Sequence, residues 1–219
     1  MSDITYSWNE YIRLNEELVY KVAKSGWQFD CLICLSRGGM RPGDFFSRIY
    51  GKPLAVLATS SYREAKGTVQ SNLDIADCMT GLAELKGKVL LVDDMVDSGK
   101  TIQEVVAHLK KRYPAITEIR VAVLWWKAHS VLKPDWHCVY FEDSPWIHQP
   151  FECYDDLGAE AFIEAIESGK TLGRLQQNCQ SKLICTRLIE KRRQKTGKSS
   201  SAAFLHFEDE SAAAHRLES

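Results

Sequence analysis

Residues 88–101 read KVLLVDDMVDSGKT. An apolar run meets Asp93 and Asp94, then Asp97, then Ser98-Gly99-Lys100-Thr101. These residue types suit two different ligand chemistries. Carboxylates repel a phosphate, but they accept hydrogen bonds from a cis-diol or help to hold a metal. A loop between a strand end and a helix start turns backbone N–H groups toward an anion, and the Ser98 and Thr101 hydroxyls add donors. A ribose 5-phosphate carries both features. The NTPase alternative fails on spacing: GxxxxGK[ST] requires glycine at position 94, which is Asp.

The surrounding elements explain how such a loop would be held. Residues 29–36, 53–60, 88–94, 118–126 and 137–143 are short apolar runs that predict buried strands. Between them lie amphipathic helices. Residues 8–25 open on a Ser7/Glu10 capping box and stop at Gly26. A second helix begins near Pro42 and ends at Gly51. A third, TIQEVVAHLKKRY, carries cations in its last turn, where they suit the dipole. Alternating strands and helices predict an α/β fold with a central, mostly parallel sheet flanked by helices. Ligands then sit at the carboxyl ends of strands, around 36–39, 60–62, 93–101 and 127.

The bulk numbers fit that class. The 219 residues are 45% hydrophobic with net charge -1, so no overall basic field advertises nucleic acid. Residues 1–10 lack a signal-peptide pattern and no apolar run approaches a membrane span. Seven cysteines, an odd number lying mostly in apolar segments, predict reduced thiols in a cytoplasm.

VLLVDDMVDSGKT resembles the phosphoribosyl pyrophosphate signature of the type I phosphoribosyltransferases. CLSRGGMRPG (34–43) is similar to the loop that follows the first core strand in members acting on 6-oxopurines. The resemblance implies pyrophosphate contacts from Ser36, Arg37, Gly38 and Gly39, with a non-proline cis peptide at Ser36–Arg37. It implies ribose and phosphate contacts from Asp93, Asp94, Ser98, Gly99, Lys100 and Thr101, Mg²⁺ held with Asp93 and Asp94, and Asp97 as the catalytic base. ATSSYRE (58–64) resembles the start of a small, flexible hood. LWWKAHS (124–130) and DSPWIHQPFE (143–152) resemble the bacterial xanthine–guanine and hypoxanthine enzymes. In that comparison Lys127 meets the purine O6, Trp146 stacks on the ring and the Ile147 carbonyl accepts from a 2-amino group. A donor-only lysine reads a carbonyl and rejects the amine of adenine. The partners so implied are phosphoribosyl pyrophosphate and hypoxanthine, guanine or xanthine, in cytoplasmic purine salvage, by a homo-oligomer (dimer or tetramer).

The resemblance spans about residues 4–157. Residues 1–157 are read as the phosphoribosyltransferase domain, 158–193 as a helical extension and 194–219 as a disordered tail. Phe151 departs from the tryptophan common in close relatives. Two alternatives remain open: a transferase of the same fold acting on another base, and a non-catalytic nucleotide sensor. Cys31 and Cys34 form a CxxC, but an odd separation in a strand points the thiols to opposite faces, which predicts core residues. The cationic run 190–198 reads as a solvated face.

Overall fold

The computed structural model describes residues 3–61, 73–76, 79–81, 84–155 and 157–168. The predicted tail and the cationic run 190–198 lie outside them. The chain divides into two units, Met1–His148 and Gln149–Ser219.

In the first unit, β1 (Asp3–Thr5) leads into α1 (Trp8–Lys24). Ser7 is extended, and its Oγ accepts from the Glu10 N–H while the Glu10 carboxylate accepts from the Ser7 N–H at 2.8 Å. This reciprocal cap satisfies donors that a helix start otherwise leaves unpaired. Tyr11, Leu18, Val19 and Val22 form the buried stripe of α1. Next come β2 (Cys31–Ser36), α2 (Met40–Tyr50), β3 (Leu54–Ser61), β4 (Leu73–Ile75), β5 (Gly87–Val96), α3 (Lys100–Arg112), β6 (Ile116–Lys127), β7 (Trp136–Phe141) and β8 (Trp146–His148). Gly51 ends α2 in the left-handed conformation, φ 60°, where a side chain would be strained.

Six strands form one sheet in the order β4-β3-β2-β5-β6-β7. All pairs are parallel except β3 with β4. Cys31, Ile33, Leu35, Val89, Leu91, Val121 and Val123 pack with Ile102, Val105 and Leu109 of α3. The opposite face meets α1 and α2. This sheet confirms the predicted α/β architecture.

The two thiols of the CxxC part as expected. Cys31 lies in the α3-side cluster. Cys34 lies under α2, where a Cβ on Gly43 would come within 2.8 Å of its Cβ. Burial, with the Asp93 charge nearby, pushes the Cys34 thiol up to about 12, which suits an inert core residue.

The chain runs from β2 through α2 to β3 on one side, and from β5 through α3 to β6 on the other. The strand order therefore reverses between β2 and β5, the place where open α/β sheets bind ligands. In the second unit, a 3-10 turn at Glu152–Tyr154 precedes α4 (Ala159–Glu167). Leu157 and Ala165 are buried there with Cys153 and Ala161 packed on them. No helix among the described residues is long and apolar enough to cross a membrane.

Candidate active site

The ladder between β2 and β5 ends at Cys34 opposite Val92. Continuing that register brings Ser36 beside Asp94. The acids do not end β5: it continues through Met95 and Val96, which pair with Trp125 and Trp126 of β6. Those pairings, with fully buried Trp125, outweigh the poor strand propensity of aspartate.

The Ser36–Arg37 peptide is cis, as the resemblance implies. The loop that follows crosses directly over β5. A Cβ on Gly38 would lie 2.5 Å from Cγ and Oδ1 of Asp94. A Cβ on Gly39 would strike the Val92 carbonyl and come within 2.8 Å of the Leu35 nitrogen. A side chain at Gly38 would displace the Asp94 carboxylate, whereas one at Gly39 would strike backbone. The Asp94 N–H donates to Asp93 Oδ1 at 2.9 Å.

The Asp93 carboxyl is raised well above the usual carboxylate range. Burial is the main cause and the Asp94 charge the second, opposed by backbone N–H groups of Asp94 and Gly39. Some of the residue's surface stays exposed, but the carboxyl itself is crowded by protein. Two adjacent acids that cannot both ionise freely suit a diol or a cation that faces them together.

Tyr11 of α1 also feels this site. Burial raises its phenol first, the Asp94 charge adds to the rise, and Arg41 opposes it. Sequence reasoning connected neither Tyr11 nor Arg41 with the site. The available signal was the position of Arg41, two residues beyond the Gly-Gly pair.

The 98–101 turn joins β5 to the start of α3. Gly99 has φ 79° and caps α3 without any side-chain hydrogen bond. The Lys100 N–H reaches Ser98 Oγ at 3.4 Å, and Gly99 offers the first turn of α3 no side-chain acceptor of its own, which favours an anion. The loop after β6 braces this turn. Val131 N–H donates to the Ser98 carbonyl at 3.0 Å, and a Cβ on Gly99 would lie 2.9 Å from the Leu132 nitrogen.

Asp97 joins this loop to the end of β6. Its Oδ1 is 3.1 Å from Lys127 Nζ and 3.1 Å from His129 Nε2. Lys127 is buried, with 7% of its side chain exposed. His129 Nδ1 lies 2.5 Å from Ser144 Oγ. Sequence reasoning missed His129 and Ser144, because their contact depends on two loops meeting.

Trp146 is 50% exposed and Ile147 buried. Both lie in β8, which pairs with β1 as a separate two-stranded parallel sheet. Neither segment carries a strand signal in its residues. The Tyr6 N–H donates to the His148 carbonyl at 3.0 Å. Backbone groups alternate along a parallel ladder, so the Ile147 carbonyl points away from β1. The Trp146 ring has His148 as its aromatic neighbour, at 6.3 Å. The Ser144–His129 bond anchors the segment before it. His148 Nε2 lies 3.2 Å from Asp3 Oδ2.

Ser60 and Ser61 end β3, antiparallel to β4. Tyr62 and the rest of the expected hood, through residue 72, lie outside the described residues. No group of three or more His, Cys, Asp or Glu side chains that could hold a metal occurs among the described residues.

Residues 2–156 match the phosphoribosyl transferase domain family. The chain belongs to the phosphoribosyltransferase family. This phosphoribosyltransferase is 26% identical over 149 residues to the xanthine-guanine phosphoribosyltransferase of Idiomarina loihiensis, covering 68% of this chain and 86% of that relative. The purine phosphoribosyltransferase of Pyrococcus horikoshii superposes with a TM-score of 0.57 at 29% identity, covering 69% of this chain and 95% of that one. The xanthine-guanine-hypoxanthine phosphoribosyltransferase of Helicobacter pylori gives a TM-score of 0.58 at 25% identity, covering 76% and 99%. The sheet and its flanking helices are those of the type I fold, and the protein is a transferase enzyme.

Proposed function

We propose that this enzyme transfers 5-phosphoribose from phosphoribosyl pyrophosphate to a 6-oxopurine, hypoxanthine, guanine or xanthine, as a step of purine salvage. The observation that carries this reading is the Lys127–Asp97 pair. A donor-only group and an acceptor-only group stand 3.1 Å apart, a spacing matched to the O6 and N7 positions along one edge of a 6-oxopurine. The curated relative from Idiomarina loihiensis acts on xanthine and guanine by its name, which supports the same choice of base.

The donor would lie across the β2–β5 junction. Asp93 and Asp94 accept from the ribose hydroxyls, the 98–101 turn takes the 5-phosphate on its N–H groups, and Ser36, Arg37, Gly38 and Gly39 face the pyrophosphate. The two acids also fit Mg²⁺, which binds through one or two carboxylates plus substrate phosphates rather than through an all-protein cage. When bound, Mg²⁺ supplies charge neutralisation of the pyrophosphate leaving group. In this reading Trp146 covers one face of the base, and the Ile147 carbonyl accepts from a 2-amino group.

In the transfer, purine N9 forms a bond to ribose C1 as the bond from C1 to the pyrophosphate oxygen breaks. The N7 proton passes to Asp97. Positive charge develops on the sugar ring, and the Asp93–Asp94 carboxyls offset it. Lys127 holds O6, so the base is oriented before the sugar reacts. The resemblance adds a cytoplasmic homo-oligomer to this reading.

Pyrophosphate release from phosphoribosyl pyrophosphate and Mg²⁺, assayed with hypoxanthine, guanine, xanthine, adenine and uracil in turn, tests the proposal. Release is expected with one or more of the first three. Release with adenine or uracil alone would assign another base, and none with any base would remove the catalytic reading.

A further inference from the structure

Asp97 Oδ1 receives two donors at once, Lys127 Nζ and His129 Nε2, each at 3.1 Å. The carboxylate is acceptor-only, so in the neutral imidazole the proton sits on Nε2 and Nδ1 accepts from the Ser144 hydroxyl at 2.5 Å. The ring is thereby held at both ends, from the loop after β6 and from the loop before β8. This second hold matters because Lys127 has two claims on it. The ammonium has three N–H donors, so a purine O6 shares it with Asp97, whose carboxylate is half exposed and needs a second donor to stay in place.

We propose that His129 is a positioning residue for base transfer. It holds the Asp97 carboxylate through Oδ1 while Lys127 also donates to the purine carbonyl, and Ser144 fixes the imidazole for that task. The inference rests on the purine-transfer reading above. Nothing in the type of residue 129 marks it in sequence, because the role exists only where the two loops meet.

Steady-state kinetics with hypoxanthine on wild type, His129→Ala, His129→Gln, Asp97→Asn and the Asp97→Asn/His129→Ala double variant test it. His129→Ala is expected to lower kcat/KM for the base by about tenfold, with the KM for phosphoribosyl pyrophosphate changed less than about twofold. His129→Gln, which keeps an N–H donor, recovers most of the loss. In the Asp97→Asn background, His129→Ala costs little more, because the two act as a unit. Full activity in His129→Ala, an equal rise in the KM for the donor, or losses that multiply in the double variant would overturn the proposal. A ¹⁵N-resolved imidazole spectrum reads the contact without turnover. The Nε2–H tautomer is expected, with a signal that shifts in Asp97→Asn, and an Nδ1–H tautomer overturns the inference. An inactive wild type that still shows the Nε2–H signal would instead count against purine transfer and leave the His129–Asp97 contact standing.

Discussion

Gly38 lies so close to Asp94 that a single methyl group at its Cα would stand 2.5 Å from the carboxylate carbon. The neighbouring Gly39 meets backbone instead, at Val92 and Leu35. A displaced carboxylate can rotate away at small cost to folding, whereas a backbone clash must move a core strand. Gly38→Ala is therefore expected to keep its melting temperature near that of the wild type while its KM for phosphoribosyl pyrophosphate rises by about tenfold or more. Gly39→Ala is expected to lose about 1–3 kcal/mol of stability in denaturant unfolding. Equal effects of the two substitutions on both measurements would contradict this division.

Lys127 is buried at the end of β6 and contacts Asp97. Lys127→Gln keeps a donor but adds an acceptor, so it no longer rejects an exocyclic amine. The ratio of kcat/KM for hypoxanthine over adenine is expected to fall by about tenfold or more. Competition between the two bases in one assay measures it directly.

Trp146 exposes half of its surface, so its removal should cost the fold little. Base stacking on an indole is worth about 1–3 kcal/mol. Trp146→Ala is expected to raise the KM for the base roughly 5- to 150-fold, and Trp146→Phe to recover part of that loss. Fluorescence quenching on base addition, present in wild type, should be reduced in Trp146→Phe.

His137, away from the active site on β7, sets a pH dependence of folding. Burial lowers its imidazole below the ordinary value of 6.5, and the charges of Lys21 and Lys133 add to the effect. The unfolded chain thus binds more protons than the folded one between the lowered value and about 6.5. The stability contributed by neutral His137 is complete above about 6.5 and is lost as the pH falls through that window. Urea midpoints measured across it should slope upward with pH in wild type and flatten in His137→Gln.

The sequence revealed most where the physics is local. Ser7 with Glu10 marked the start of α1 because a capping box needs only four residues. The apolar runs of β2, β5 and β6 showed their burial without reference to one another. The acids and the Ser98–Thr101 turn were legible because site chemistry at a strand end is concentrated in one stretch. By contrast, β1 and β8 are three residues each and separated by most of the first unit. Their pairing depends on the finished fold. Asp93 and Asp94 read as the end of β5, while their backbone actually continues in the ladder beside Trp125 and Trp126. The Asp97–His129–Ser144 chain spans two loops that no local pattern connects.

The claim on which the rest depends is that the acids of β5 form one wall of the donor site. Calorimetric titration of phosphoribosyl pyrophosphate with Mg²⁺ into wild type and into the Asp93→Asn/Asp94→Asn variant addresses it most directly. Binding to wild type, weakened by about a hundredfold in a variant that remains folded, is the predicted result. Equal affinity for the two proteins would contradict it.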